Sequence, residues 1–129
     1  MVDTLGLIMA VVVHGAQLQD REGAKLLLER ASTDPALLSR LKKVWADGGY
    51  RGTLADWVAE HYDYALEIVK RPRDTVGFTV LPHRWIVERT LAWISRCRRF
   101  AKDDEYLPGV SEPLIYLAMI GLMVRRLAV

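Results

Sequence analysis

The chain has 129 residues, enough for one domain with a real core and too few for two. Apolar residues make up 51% and charged residues 26%, which excludes a wholly disordered chain, a collagen and a low-complexity polymer. Net charge is a mild +2, and the single cysteine, Cys97, excludes an internal disulfide and a cysteine-based zinc site. A reducing compartment, the cytoplasm, is the natural reading.

Leu7–Val13 is apolar, β-branched toward its end, and reads as a buried strand that begins almost on top of Met1. Asp20 is placed to cap a helix running to about Ala31, with Ala24, Leu27, Leu28 and Ala31 at helical spacing. Asp34-Pro35 is a second start signal, for a short helix ending near Leu41. Lys43–Ala46 reads as a strand that runs into the turn Asp47-Gly48-Gly49-Tyr50. Thr53-Leu54-Ala55-Asp56 resembles a capping box, so a helix is expected over about 54–62. Ala65–Lys70 alternates as a third strand, Arg71–Gly77 is a loop, and Phe78–Leu81 is a short extended piece. From about His83 to Ala101 the period is helical, with Val87, Leu91, Ile94 and Trp93 as its apolar face. After a charged connector, Ser111-Glu112-Pro113 starts a last helix to about 127, apolar on most sides and so expected to be buried. Strands alternating with helices in one domain over 1–129 make the class α/β. The apolar runs Leu5–Val13 and Leu114–Val124 fall short of the roughly 18–20 residues that span a bilayer, and Asp3 stands where a signal peptide would carry a cation.

The chemistry concentrates in two places. Asp47 leaves the end of a buried strand into a glycine turn, where α/β sheets gather ligands and where a carboxylate can reach Mg²⁺. The plain alternative is that Asp47 caps the turn. Between Arg84 and Lys102 lie six cations, Arg84, Arg89, Arg96, Arg98, Arg99 and Lys102, against the single acid Glu88. The stretch carries +5 and leaves −3 for the rest, a phosphate-facing helix or a merely solvated face. Glu88 is either an i, i+4 partner of Arg84 or an inward carboxylate bordering the Val87–Leu91–Ile94 face. Two-metal phosphodiester chemistry takes about three carboxylates. Asp47 and Glu88 are two; Asp20, better explained as a cap, and Asp3, at the extreme terminus, are the nearest candidates for a third. His14 and His61 read as structural or surface residues.

Four segments in order, VDTLGLIMAVVVHGAQLQDREGAKLLL (2–28), VWADGGYRG (44–52), KRPRDTVGFTVLPHRWIVERTLAWISRCRRFAKDDE (70–105) and YLAMIGLMVRRL (116–127), resemble the C-terminal half of a DDE-class transposase of the insertion-sequence-five group. The resemblance spans nearly the whole chain. It implies an RNase H-like fold, a mixed sheet flanked by helices, here partial because the first strand is missing. It also implies an Asp-Asp-Glu set with Mg²⁺, in which Asp47 is the second acid and Glu88 the glutamate. Arg84 and Glu88 meet the signature's Arg-x-x-x-Glu spacing. Leu81 and Ser95 stand where related groups carry tyrosine and lysine, and Arg96 is the conjectured substitute for the lysine's phosphate contact. The family's first aspartate lies upstream of where this chain starts, and Asp3 matches a non-catalytic position.

The functional expectation is therefore DNA transposition: metal-dependent cleavage and strand transfer of element ends and target DNA in the nucleoid, with the chain inactive alone. Implied partners are DNA, the upstream-frame half of the transposase, and a second copy of the chain. Two alternatives stand beside it. One is a non-catalytic DNA-binding remnant carrying a basic helix; the other is a stand-alone nuclease using Asp3 or Asp20, in which case replacing either acid with alanine abolishes nicking. An open sheet edge and a half-covered core predict that the isolated chain is aggregation-prone. Sedimentation velocity is expected to show species larger than a monomer, and a soluble monomer with a sharp two-state melt would contradict this.

Overall fold

The computed structural model describes residues 1–69, 83–100 and 107–128. Its helices are α1 (Asp20–Ser32), α2 (Pro35–Arg40), α3 (Leu54–His61), α4 (Arg84–Ser95) and α5 (Pro108–Leu127). Its strands are β1 (Lys43–Ala46) and β2 (Ala65–Ile68), with short 3₁₀ turns at Gly48–Tyr50 and Arg98–Phe100. The expected extended piece Phe78–Leu81, the loop Arg71–Gly77 and Lys102 lie outside the described residues.

β1 and β2 pair in parallel, Lys43 opposite Ala65 and Ala46 opposite Ile68, with α3 on the crossover between them. A parallel pair needs such a connection, because a tight hairpin can only reverse the chain. Leu28 of α1, Val58 of α3 and Tyr64, just before β2, are buried together, with Val44 and Leu66 of the strands packed against them. Asp34 caps α2 as its sequence position implies, its carboxylate accepting from the N–H groups of Ala36 and Leu37.

Several expectations are corrected. Leu7–Val13 is not a strand; an isolated antiparallel bridge, Val2 with Ile8, is all the pairing found in that region among the described residues. The reason is local. The N–H of Val11 donates to the Tyr116 hydroxyl at 3.3 Å and that of Val13 to Glu112 at 3.0 Å, so α5 side chains take donors that a ladder would use. Among the described residues the sheet is the parallel pair of β1 and β2. Asp20 does not cap α1: Gln19 holds the cap position, and Asp20 is the first helical residue, where its charge complements the helix dipole. Thr53 makes no side-chain cap on α3.

α4 is shorter than expected. Beyond Ser95 the bonds tighten to i−3, Cys97 N–H to Ile94 and Phe100 N–H to Cys97, and the α-helix gives way to the second 3₁₀ turn. The face of α4 also differs. Ile86 and Thr90 are buried, whereas Val87 and Leu91 are exposed, so the buried stripe lies one residue round from the expected one. What seats it is the N-terminal segment. Gly6, at φ +80°, passes so close that a Cβ there would meet the Thr90 hydroxyl at 2.9 Å. The Thr90 Oγ1 lies 2.7 Å from the Gly6 carbonyl and 3.0 Å from that of Ile86, with one proton to donate.

α5 starts earlier than expected, at Pro108, and carries Pro113 inside it. It is not buried on most sides: Met119 and Ser111 are buried, while Leu117, Ile120, Val124 and Leu127 form an exposed apolar stripe. Glu112 anchors its first half by pairing with Arg30 of α1 at 2.8 Å. No helix among the described residues is long and apolar enough to cross a membrane.

The Tyr64 hydroxyl is buried without a partner among the described residues, and burial, helped by the neighbouring Tyr62, pushes its pKa from 10.0 to about 12. Leu28→Ala is expected to lower stability by about 2–5 kcal/mol in urea denaturation, and Leu127→Ala, at an exposed position, by about 0.5 kcal/mol or less. Tyr64→Phe is expected to hold or raise stability, because it deletes an unsatisfied group. The raised pKa also sets a pH dependence. The unfolded phenol ionises first, so Tyr64 ionisation costs no stability below pH 10 and erodes it progressively as pH rises toward about 12. Urea titrations across that window are expected to show a shallower alkaline loss in Tyr64→Phe.

Candidate functional site

Asp47 follows directly on β1, at the carboxyl end of the strand pair. Its Oδ1 accepts from the N–H of Gly49 at 2.9 Å, which caps the 3₁₀ turn. A Cβ at Gly49 would lie 3.2 Å from the Asp47 carboxylate oxygen, so a glycine there lets the turn close tightly over that carboxylate. Tyr50 closes the turn. Burial raises its phenol pKa, and the charges of Asp20 and Asp47 raise it further. Asp20, weighed above as a spare acid, therefore lies within electrostatic reach of the same tyrosine as Asp47.

Glu88 sits one turn into α4. It is exposed rather than bordering the core, and it accepts from Arg84 Nε at 2.9 Å. A surface pair of this kind contributes about 0.3–0.5 kcal/mol. β1 and α4 meet where the Trp45 ring stacks on His83 at 4.4 Å. His83 holds the cap position of α4 at φ 66°, a left-handed conformation that histidine adopts more readily than most residues. Asp47 is two residues past Trp45 and Glu88 five past His83. The contact thus brings the two segments together, while each carboxylate keeps a partner of its own, Gly49 N–H for Asp47 and Arg84 for Glu88. Among the described residues no group of three or more His, Cys, Asp or Glu is arranged to hold a metal ion. Asp3 is occupied elsewhere, its Oδ1 accepting from Leu5 and Leu7 N–H at 2.9 and 2.8 Å.

The arginines of the basic stretch divide by environment. Arg84 is paired with Glu88. Arg96, Arg98 and Arg99 are exposed at and beyond the end of α4. Arg89 turns inward: its guanidinium lies 4.5 Å from the Trp85 ring and 4.8 Å from the Trp93 ring, and it donates to the Leu5 carbonyl at 2.9 Å. Arg126 of α5 covers Trp93 as well, at 4.4 Å. Sequence reasoning missed this ladder and the part taken in it by the end of α5. The i, i+4 spacing of Trp85, Arg89 and Trp93 was the available signal. Arg89→Ala is expected to destabilise the fold by about 2 kcal/mol, from lost cation–π contacts and a charged hydrogen bond. Arg84→Ala is expected to change stability by about 0.5 kcal/mol or less. Urea midpoints of the two variants check the contrast.

Over residues 1–122 the chain matches the family described as Transposase DDE domain. No curated protein and no solved structure gives a match. With the match running from the N-terminal segment into α5, the chain belongs to the transposase DDE-domain family, whose work is DNA transposition on bound DNA with divalent metal ions.

Proposed function

We propose that this chain is the catalytic-domain part of a transposase of the insertion-sequence-five group, RNase H-like in fold, with Asp47 and Glu88 as two of its three catalytic carboxylates. In that reading Arg84, Arg96, Arg98, Arg99 and Lys102 contact DNA, and Arg89, packed against Trp85 and Trp93, positions the helix that presents them. The match over residues 1–122 carries it. It is supported by the position of Asp47, at the carboxyl end of a parallel strand, where α/β folds collect ligands.

The family's chemistry takes about three carboxylates for two Mg²⁺ ions about 3.5–4 Å apart. The described residues do not fit that group as they stand. Asp47 and Glu88 are each held by a local partner, and among the described residues no third acid joins them. The chain alone is therefore proposed to bind DNA without cutting it. The completing acid is proposed to come from the upstream-frame half, and a second copy of the chain is a further partner in this reading. The cytoplasm, on the nucleoid, is the compartment that goes with it. The second reading, a DNA-binding remnant with no catalytic role, is favoured by the same local pairing of Asp47 and Glu88.

The chain with Mg²⁺ is expected to leave supercoiled plasmid intact while binding duplex DNA with an affinity that falls steeply with salt. Joined to a segment bearing the completing acid, it is expected to nick the plasmid. Asp47→Asn or Glu88→Gln is then expected to abolish nicking and change DNA affinity less than about twofold. Nicking that survives both replacements would overturn the assignment of these acids. A joined protein that never nicks would favour the remnant.

A further inference from the structure

Where α4 and α5 approach near their C-terminal ends, a cleft of about 440 Å³ opens, lined by Trp93, Arg96, Cys97, Leu122 and Arg125. Arg96 and Arg125 are exposed and come from different helices, and no hydrogen bond or ion pair to either is recorded among the described residues. The four ion pairs recorded there use other cations. Leu122, Cys97 and the Trp93 ring line the same cleft, and the packing of Trp93 against Arg126 holds that wall in place. Two helix ends also converge here. Their free carbonyls favour cations, which accounts for some of the positive charge. It does not account for two guanidiniums that have no partner among the described residues and share a cleft with Leu122 and Trp93.

Two cations and apolar side chains lining one cleft suit a ligand that is anionic at one point and apolar beside it. A DNA strand has that character: phosphate oxygens take bidentate guanidinium contacts, and the sugar next to them is largely apolar. A volume near 440 Å³ falls within the size range of small-ligand pockets and so admits a single nucleotide unit. We infer that the α4–α5 cleft seats one phosphodiester unit of a DNA strand, the phosphate between Arg96 and Arg125 and the sugar on Leu122 and Cys97. The inference rests on the DNA-binding reading above and adds to it a second helix, α5, through Arg125. The basic stretch read from the sequence stops at Lys102 and does not reach that residue.

Cys97 makes the test direct, because it is the chain's single cysteine, is partly exposed, and lines the cleft. The full chain is mixed with fluorescein-labelled duplex DNA, binding is read by anisotropy, and Cys97 is alkylated with iodoacetamide in the same samples. Saturating DNA is expected to slow alkylation at least fivefold. Arg96→Gln with Arg125→Gln is expected to abolish that protection and to reduce the slope of log affinity against log salt by about one, the share of a single phosphate. DNA that binds but leaves the alkylation rate unchanged overturns the cleft and spares the DNA-binding reading. Protection by inorganic phosphate equal to that by DNA overturns a strand site in favour of a small-anion site. Protection by an acidic peptide, with none by bound DNA, overturns it in favour of a protein partner. Absence of any anisotropy change overturns the DNA-binding reading and the cleft with it.

Discussion

The close approach of Gly6 to Thr90 is the constraint on which the placement of α4 depends. A residue without a Cβ, in the left-handed region, lets the N-terminal segment lie against the helix, and the buried Thr90 hydroxyl meets the Gly6 carbonyl it brings. One residue away, Arg89 fixes the Leu5 carbonyl. These contacts choose which stripe of α4 faces inward. They thereby decide that Glu88 and Arg84 face solvent and that Arg89 does not. At its other end α4 is positioned by the stacking of His83 on Trp45, which ties it to the strand that delivers Asp47. The N-terminal segment is in turn held by α5, through Tyr116 and Glu112. A short stretch without regular structure thus links the last two helices to each other.

Much of this was legible in the sequence where the signal was local. β1 was readable to the residue because Asp47-Gly48-Gly49 ends it, and α2 because Asp34-Pro35 opens it. Errors arose where the outcome depended on a distant partner. The β-branched run at Leu7–Val13 has the composition of a strand, yet side chains roughly a hundred residues later take two of its N–H groups. The inward stripe of α4 was misjudged by one residue because Val87, Leu91 and Ile94 are the more apolar set. What settles the orientation is a threonine hydroxyl against a glycine carbonyl, which periodicity does not record. α5 was expected to be buried because it is apolar, but burial needs a surface to lie against, and Leu117, Ile120, Val124 and Leu127 have none among the described residues.

The two acids were legible as residues and not as an arrangement. Asp47 at a strand end and Glu88 four residues after Arg84 can be found by eye. That each would satisfy itself locally, one on a backbone N–H and the other on its helical neighbour, follows from the chain around it. A carboxylate left near such a partner takes it. The inward turn of Arg89 shows the same principle in a cation. Counting charge along a helix treats all arginines alike, whereas indole rings on both sides of Arg89 remove it from the solvent-facing set.

Trp85, Arg89, Trp93 and Arg126 form a column in which flat rings and flat cations alternate, three from α4 and the last from the final turn of α5. Helix ends ordinarily fray, and Leu127, the last residue of α5, is 86% exposed and gives it little to hold. The column acts as a splint. It spans two successive turns of one helix and clasps the tail of the other, so bending α4 near its middle means sliding planar groups off one another. The two helices are thereby stiffened as a unit along the side that carries the arginines.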